Sequence, residues 1–227
     1  MFETVRQKLG APESAFVGRA DAAGMWNLDF GQTLAALGEN RKSKIVNHKL
    51  VLGTAFSFVY LLDFLAGKNL RFQLPPDSRV METGGYKNRS RSMPKAELHS
   101  LITKFLGVPP ENIICEYGMS ELSSQAYDKV AGDKCQVTRN SAASCNVPSV
   151  TRHFQFPPWA RVQIISPETG REVSDGETGL IRVFDLANVF SVAAIQTEDL
   201  GIRHGHGFEL IGRVQLAETR GCSLMTA

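Results

Sequence analysis

The sequence predicts an α/β fold in which alternating strands and helices form a mainly parallel sheet, followed by a smaller β-rich subdomain. In the first half, short apolar runs alternate with segments of helical periodicity, which is the pattern of a parallel sheet with crossover helices. After residue 127 a polar stretch interrupts this pattern, and beyond residue 151 short β-type runs are separated by glycine- and proline-containing turns.

These composition changes divide the chain of 227 residues into three predicted parts. Residues 1–127 form a predicted α/β subdomain. Residues 128–151 are rich in Ser, Asn, Ala, Gly and Lys and predict a flexible loop. Residues 152–227 form a β-rich subdomain that ends in a tail.

The first half contains two well-marked helices. Residues 55–66 place apolar side chains on one face, and Gly67 is a natural stop. A second helix is entered at Pro94 and ends before Gly107. A charged helix opens the chain, and strands are predicted at 50–52 and 80–82, with a short buried strand around Ile113 and Ile114.

In the second half, β-type runs occupy residues 161–165, 179–184, 192–195 and 208–211. His204 and His206 alternate as metal ligands can, but a metal site needs three or four convergent groups. A hairpin between residues 200 and 208 is the alternative that we favour.

Bulk composition excludes several classes of function. Twenty-five basic residues against 23 acidic ones give a net charge of +2, which argues against nucleic acid or an anionic membrane as the main partner. No apolar stretch approaches the roughly 20 residues of a membrane span. The four cysteines show neither CxxC spacing nor the density of a disulfide scaffold. We therefore expect a cytoplasmic protein with reduced thiols.

The segment 116–121, EYGMSE, combines groups that suit a nucleotide. Tyr117 offers a ring on which a base can stack, and Gly118 permits close approach of a ligand. Ser120 can donate to a phosphate oxygen, and the carboxylate of Glu121 can hold Mg²⁺. A simple turn at the end of a strand is the alternative interpretation.

A second candidate loop follows the strand at 80–82. Gly84 and Gly85 permit backbone conformations that a β-carbon forbids, while Lys87, Arg89 and Arg91 supply positive charge for a phosphate. The segment is not a Walker loop, and a glycine turn with a solvated basic flank explains it equally well.

Two further residues stand out. Asp199 follows a β-type run, and an aspartate at a strand end can accept hydrogen bonds from both ribose hydroxyls; a turn-forming aspartate is the alternative. Cys222 lies five residues before the C-terminal Ala227, where a thiol on a mobile tail can reach a reactive centre, and Arg220 favours its thiolate. An incidental tail cysteine is the alternative.

Taken in order, these segments resemble the acyl-protein synthetase family, the ligase component of the bacterial fatty-acid reductase that supplies aldehyde to luciferase, within the adenylate-forming superfamily. The resemblance runs from about Leu50 to the C-terminus, and it implies that the α/β subdomain of residues 1–127 is part of an adenylation domain. It rests on the segments 74–87, 116–122, 197–201, 212–213 and 220–223.

The resemblance implies a role for each candidate residue. The loop beside the adenine would contain Gly84 and Gly85, Tyr117 would stack on the base, and Asp199 would hold the ribose. Ser120 and Glu121 would contact phosphate and Mg²⁺, with Glu121 as both metal ligand and catalytic residue. The implied nucleotide contacts are Gly84, Gly85, Tyr86, Lys87, Tyr117, Gly118, Ser120 and Asp199.

The remaining catalytic residues implied by the resemblance lie towards the C-terminus. Arg213 matches the hinge arginine, and Cys222 matches the cysteine that accepts the acyl group as a thioester. The implied reaction activates a long-chain fatty acid with ATP to acyl-AMP and transfers the acyl group to Cys222 for delivery to an acyl reductase subunit.

One feature departs from the pattern. Adenylate-forming enzymes place a Ser/Thr/Gly-rich phosphate loop upstream of the YGxSE segment, and nothing between Met1 and Gly53 has that composition. We therefore expect a shortened synthetase, with a non-catalytic acyl-carrier or interaction fragment as the alternative. Transfer to coenzyme A is disfavoured by the near-terminal Cys222 and by the missing lid domain.

Overall fold

In a computed structural model of the chain, residues 2–22, 25–38, 48–86, 89–130 and 152–214 are described. Contacts among these residues separate into two compact units, and the boundary falls between Cys115 and Glu116. The fold is the expected α/β class with a β-rich second half. Within the described ranges, no helix is long and apolar enough to cross a membrane.

The described part of the first unit contains four α-helices and the parallel strands. Strand β3 pairs with β4 in parallel, from Leu50 opposite Arg79 to Thr54 opposite Thr83, and β5 is the next strand of this sheet. The elements in chain order are α1 (Phe2–Leu9), β1 (Gly18–Ala20), β2 (Trp26–Leu28), α2 (Phe30–Gly38), β3 (Leu50–Thr54), α3 (Ala55–Gly67), β4 (Arg79–Thr83), α4 (Lys95–Leu106), a 3₁₀ turn (Pro110–Asn112) and β5 (Ile113–Tyr117).

The two crossover helices form where the periodicity predicts them, and both pack into the core of this unit. Thr54 caps α3, because its hydroxyl accepts a hydrogen bond from the backbone N–H of Ser57. Gly107 ends α4 in the left-handed conformation, with φ of 69°. The fully buried core side chains include Leu62, Leu65, Val80, Leu98, Ile102, Leu106 and Ile113.

A polar group is buried within this apolar core. Glu82 on β4 is 3% exposed and lies beside His99 of α4 and Cys115 of β5, which are also buried. Burial by itself would raise the pKa of Glu82, but His99, Lys95 and Cys115 together lower it below its ordinary value. Glu82 is therefore a carboxylate at neutral pH.

The second unit is antiparallel. The end of β5 pairs with β6, and the sheet continues in the order β6, β7, β11, β10, β9 and β8. Its strands are β6 (Ala126–Val130), β7 (Arg152–Gln155), β8 (Ala160–Ile165), β9 (Thr178–Asp185), β10 (Ala194–His204) and β11 (Gly207–Arg213).

The strand predictions for this unit were partly wrong. Residues 128–130, predicted as the start of a loop, belong to β6 (Ala126–Val130), which pairs with both β5 and β7. The run predicted at 192–195 overlaps the start of β10, which extends from Ala194 to His204. Asp199 therefore lies inside β10 and not at its end. Irregular pairing around residues 196–201 breaks the strict alternation that local patterns rely on. The rest of the predicted loop, 131–151, lies outside the described residues.

The predicted hairpin is confirmed, since β10 and β11 are joined by a turn at Gly205 and His206. The ring of His204 stacks on that of His153 at 3.9 Å between centroids, and its Nε2 is 3.7 Å from Glu209. Burial lowers the pKa of His153 and the neighbouring His204 lowers it further, against an opposing effect of Glu209. The stack therefore favours neutral His153.

This histidine stack predicts a pH-dependent stability. Because the folded-state pKa of His153 lies below its unfolded value of about 6.5, the unfolded chain binds more protons and stability falls as pH drops below that value. His153→Gln should flatten this slope in urea unfolding compared at pH 5 and pH 7.5. His206→Gln, on the exposed turn, is the control; a wild-type slope in His153→Gln would contradict the assignment.

Candidate active site

The candidate site is built from three segments that meet within the second unit. Tyr117, the last residue of β5, donates a hydrogen bond from its hydroxyl to Asp199 Oδ2 at 2.8 Å. Arg213 lies opposite Asp199 in the β10–β11 ladder, with its Nε 3.6 Å from Asp199 Oδ1. Residues 117, 199 and 213 are therefore neighbours although up to 96 positions separate them in the sequence.

The aromatic ring of Tyr117 packs inside a cluster of phenylalanines. The side chain is 7% exposed and meets Phe154, Phe156 and Phe208 edge to face, at centroid distances of 6.1, 6.4 and 5.3 Å. Burial raises the pKa of the Tyr117 hydroxyl above its ordinary value, and the Asp199 carboxylate raises it further. The hydroxyl consequently keeps its proton and remains a donor to Asp199.

Asp199 is held from both sides of its strand. Its backbone N–H donates to the hydroxyl of Thr197 at 3.1 Å, and that hydroxyl donates to the carbonyl of Ile181 on β9 at 2.8 Å. Arg213 also approaches Glu198, with its guanidinium 3.4 Å from Glu198 Oε2. The carboxylate that was predicted to hold a ribose therefore has a fixed backbone and a cation beside it.

The loop that follows Tyr117 is fastened by one buried carboxylate that the sequence patterns did not single out. Asp185 is fully buried at the end of β9 and accepts hydrogen bonds from the backbone N–H groups of Ser123, Ser124 and Ala187 at 2.7–3.0 Å. The hydroxyl of Ser124 also donates to it, at 2.8 Å. Burial by itself would raise the pKa of Asp185, but these hydrogen bonds lower it below its ordinary value.

Asn188 adds a second attachment for the same loop. Its side-chain amide donates to the carbonyl of Glu121 at 2.8 Å and to that of Val192 at 2.9 Å, and it accepts from the hydroxyl of Ser123 at 3.1 Å. An Asp followed three residues later by an Asn is a local signal for a turn. Nothing in that local pattern indicates that the pair holds a loop more than 60 residues away.

The outer part of the segment 116–121 is open to solvent. Gly118, Ser120 and Glu121 are exposed, and the hydroxyl of Ser120 donates to Glu121 Oε2 at 3.2 Å. A β-carbon at Gly118 would come too close to the carboxylate of Glu116, so the Glu116 side chain would have to move to admit one. The phosphate and Mg²⁺ contacts predicted for Ser120 and Glu121 remain predictions.

The glycine loop belongs to the first unit. Gly84 has φ of 67°, a conformation that favours glycine, whereas a β-carbon on Gly85 would meet no atom of the described residues within 4 Å. The hydroxyl of Tyr86 donates to the carbonyl of Met93 at 2.9 Å. Lys87 and Cys222 lie outside the described residues. The nucleotide contacts predicted for this loop remain predictions, as does the acyl-acceptor role of Cys222.

Comparison with solved structures identifies the class of fold. The chain resembles the structure of McyG A-PCP complexed with phenylalanyl-adenylate, with a TM-score of 0.51 and 16% identity over 82% of this chain and 33% of that one. It also resembles the luciferase-like enzyme of the nonluminescent mealworm Zophobas morio, with a TM-score of 0.50 and 16% identity over 85% of this chain and 42% of that one. The fold is therefore that of adenylate-forming enzymes.

Sequence comparison then narrows the class to a family. Residues 10–227 match the family described as acyl-protein synthetase, LuxE, and the chain belongs to that family. Among curated relatives, the long-chain-fatty-acid–luciferin-component ligase of Aliivibrio fischeri is 25% identical over 88% of this chain and 50% of its own. The ligase of the same name from Vibrio harveyi is 24% identical over 87% and 49%. The chain thus spans about half the length of these relatives.

Proposed function

We propose that the chain is an acyl-protein synthetase that activates a long-chain fatty acid with ATP and transfers the acyl group to Cys222 as a thioester. The observation that carries this proposal is the convergence of Tyr117, Asp199 and Arg213, because it brings together three motifs on which the sequence resemblance rests. The names of the two curated relatives support a fatty acid as the substrate.

The proposed chemistry has two steps. A carboxylate oxygen of the fatty acid attacks the α-phosphorus of ATP, which forms acyl-AMP and releases pyrophosphate. The thiolate of Cys222 then attacks the acyl carbonyl, and AMP departs with the electrons of the broken anhydride bond. The thioester is delivered to an acyl reductase, which is the proposed partner.

The residues of the site suit different parts of the nucleotide. Asp199 would accept hydrogen bonds from the ribose hydroxyls, with Arg213 and Tyr117 fixing its position. Ser120 would contact phosphate. The glycine loop of residues 84–87 would contact the adenine side of the nucleotide. Glu121 is exposed and anionic groups of this kind bind Mg²⁺, which would neutralise phosphate charge when bound there.

A second candidate function is a non-catalytic acyl carrier. It is favoured by the sequence between Met1 and Gly53, which contains no Ser/Thr/Gly-rich segment for gripping a triphosphate. Such a chain would accept an acyl group on Cys222 from a preformed donor and would exchange ATP with pyrophosphate weakly or not at all.

Intact-protein mass spectrometry tests both functions. Incubation with ATP, Mg²⁺ and a long-chain fatty acid should add one acyl group, and hydroxylamine should remove it because it cleaves thioesters. Cys222→Ser should abolish the adduct completely, whereas Cys145→Ser should retain it. An adduct formed only from acyl-AMP or acyl-CoA would favour the carrier, and the absence of an adduct from every donor would contradict both functions.

A further inference from the structure

The buried polar cluster of the first unit consists of Glu82, His99 and Cys115. One ligand atom from each residue, Oε1, Nε2 and Sγ respectively, lies within 4.8 Å of the other two. The three side chains come from three different elements, β4, α4 and β5, and each is less than 10% exposed. The cluster lies entirely in one compact unit.

From this convergence we propose that Glu82, His99 and Cys115 form a zinc(II) site that cross-links β4, α4 and β5. This site is independent of the adenylate chemistry proposed above, because none of its three ligands belongs to that chemistry. Zinc takes thiolate, imidazole and carboxylate ligands together, whereas Mg²⁺ and Ca²⁺ prefer an all-oxygen set.

The distances fit a tetrahedral centre with one adjustment. Zinc–ligand bonds of about 2.0–2.3 Å at tetrahedral angles place ligand atoms about 3.3–3.6 Å apart. The Sγ of Cys115 is 3.5 Å from Nε2 of His99, and Nε2 is 3.6 Å from Oε1 of Glu82. The Sγ–Oε1 pair is 2.6 Å apart and must open by about 1 Å, which rotation of the Glu82 side chain can provide.

Charge balance favours a divalent cation at this position. A buried carboxylate and a buried thiolate each carry a desolvation cost, and a dication between them makes the group electrically neutral with a neutral imidazole as third ligand. Lys95 approaches Glu82 Oε1 to 3.6 Å, but its side chain is 46% exposed and can move towards solvent when the metal binds. Water would complete the coordination of the three protein ligands.

Metal binding also has a proton balance that can be measured. The thiol of Cys115 donates to Glu82 without metal, so formation of the Zn–S bond releases the thiol proton to solvent. His99 binds through Nε2 in its neutral form. Titration of the 227-residue chain with zinc in buffers of different ionisation enthalpy should therefore show release of about one proton per metal bound.

The test is reconstitution of the chain with zinc followed by metal analysis. After removal of excess metal, the chain should hold one equivalent of zinc, and Tm should rise by about 5 °C or more relative to chelator-treated protein. Substitution with cobalt(II) should give a thiolate-to-cobalt charge-transfer band together with the visible bands of a tetrahedral centre.

Single substitutions locate the metal. Cys115→Ser and His99→Gln should each lose stoichiometric zinc and the cobalt–thiolate band, while Cys135→Ser and Cys145→Ser should keep both. Should the ligand variants fail to fold, the wild-type measurements decide alone. Wild-type chain without stoichiometric zinc after reconstitution, or zinc that survives Cys115→Ser in folded protein, would overturn the proposal.

Discussion

Replacement of Asp185 by alanine should lower the free energy of unfolding by about 3–5 kcal/mol, because several donors lose one shared acceptor in a buried environment. Three backbone N–H groups and the Ser124 hydroxyl donate to this carboxylate. Asp185→Asn keeps one acceptor oxygen but loses the charge, and its amide NH₂ group faces hydrogen-bond donors. We therefore expect the free energy of unfolding to fall by about 2–3 kcal/mol. Urea unfolding followed by circular dichroism measures both values.

The exposed Asp63 supplies a matched control for this prediction. It forms a surface ion pair with Arg91 at 2.8 Å, and both side chains are 49% exposed. Asp63→Asn should therefore change stability by less than about 1 kcal/mol. Equal effects of Asp63→Asn and Asp185→Asn would contradict the assignment of Asp185 as the anchor of the loop after Tyr117.

Acid sensitivity gives an independent check on Asp185. Its folded-state pKa lies below the unfolded value of about 3.9, so its contribution is present above that pH and is lost as pH falls through the folded-state pKa. Asp185→Asn should consequently flatten the acid limb of a stability–pH curve while lowering stability at neutral pH. An unchanged acid limb would show that the charge of Asp185 carries no stabilisation.

Replacement of Asp199 by alanine should weaken binding of AMP by at least about 100-fold, because a charged acceptor for two ribose hydroxyls is lost at about 1.5–3 kcal/mol per charged hydrogen bond. This expectation rests on the proposed function. Isothermal titration calorimetry with AMP measures the dissociation constant directly, and no fatty acid or partner protein is needed. Undiminished affinity in folded Asp199→Ala would contradict the ribose role.

Substitutions at residues next to Asp199 distinguish loss of the ribose contact from a general disruption of strand β10. Glu198→Gln alters the adjacent carboxylate, whose side chain is 44% exposed, and should change AMP affinity by less than about threefold. Tyr117→Phe removes only the hydroxyl that donates to Asp199 and should cost about fivefold. In the double variant with Asp199→Ala, the effect of Tyr117→Phe should disappear, since the hydroxyl acts through that carboxylate.

Local patterns were sufficient for α1, α3 and α4 and for most strands, whereas α2 (Phe30–Gly38) was not predicted. Helices α3 and α4 begin and end within a residue or two of their predicted bounds, because an apolar face and a capping residue are encoded in neighbouring positions. Strands β6 and β7 escaped prediction because their polar sequences form strands through pairing with neighbours that lie elsewhere in the chain.

The residues of the candidate site also divide into those that the sequence indicated and those that only the structure revealed. Tyr117 and Asp199 could be singled out from the sequence because each lies in a short motif of distinctive chemistry, whereas Arg213 was identified through the family resemblance. Asp185 and Asn188 could not, since their importance lies in hydrogen bonds to a loop that precedes them by more than 60 residues. Buried long-range hydrogen bonds leave no periodic trace in a sequence.

The sequence by itself determined the α/β class, the main helices and the acyl-protein synthetase family, because hydrophobic periodicity and motif order are local properties of a chain. Only the tertiary structure decided that Tyr117 donates to Asp199 from within a phenylalanine cluster, and that Asp185 holds the adjoining loop. It alone also brought Glu82, His99 and Cys115 together. These contacts depend on strand register and burial, which the whole fold sets and no short segment encodes.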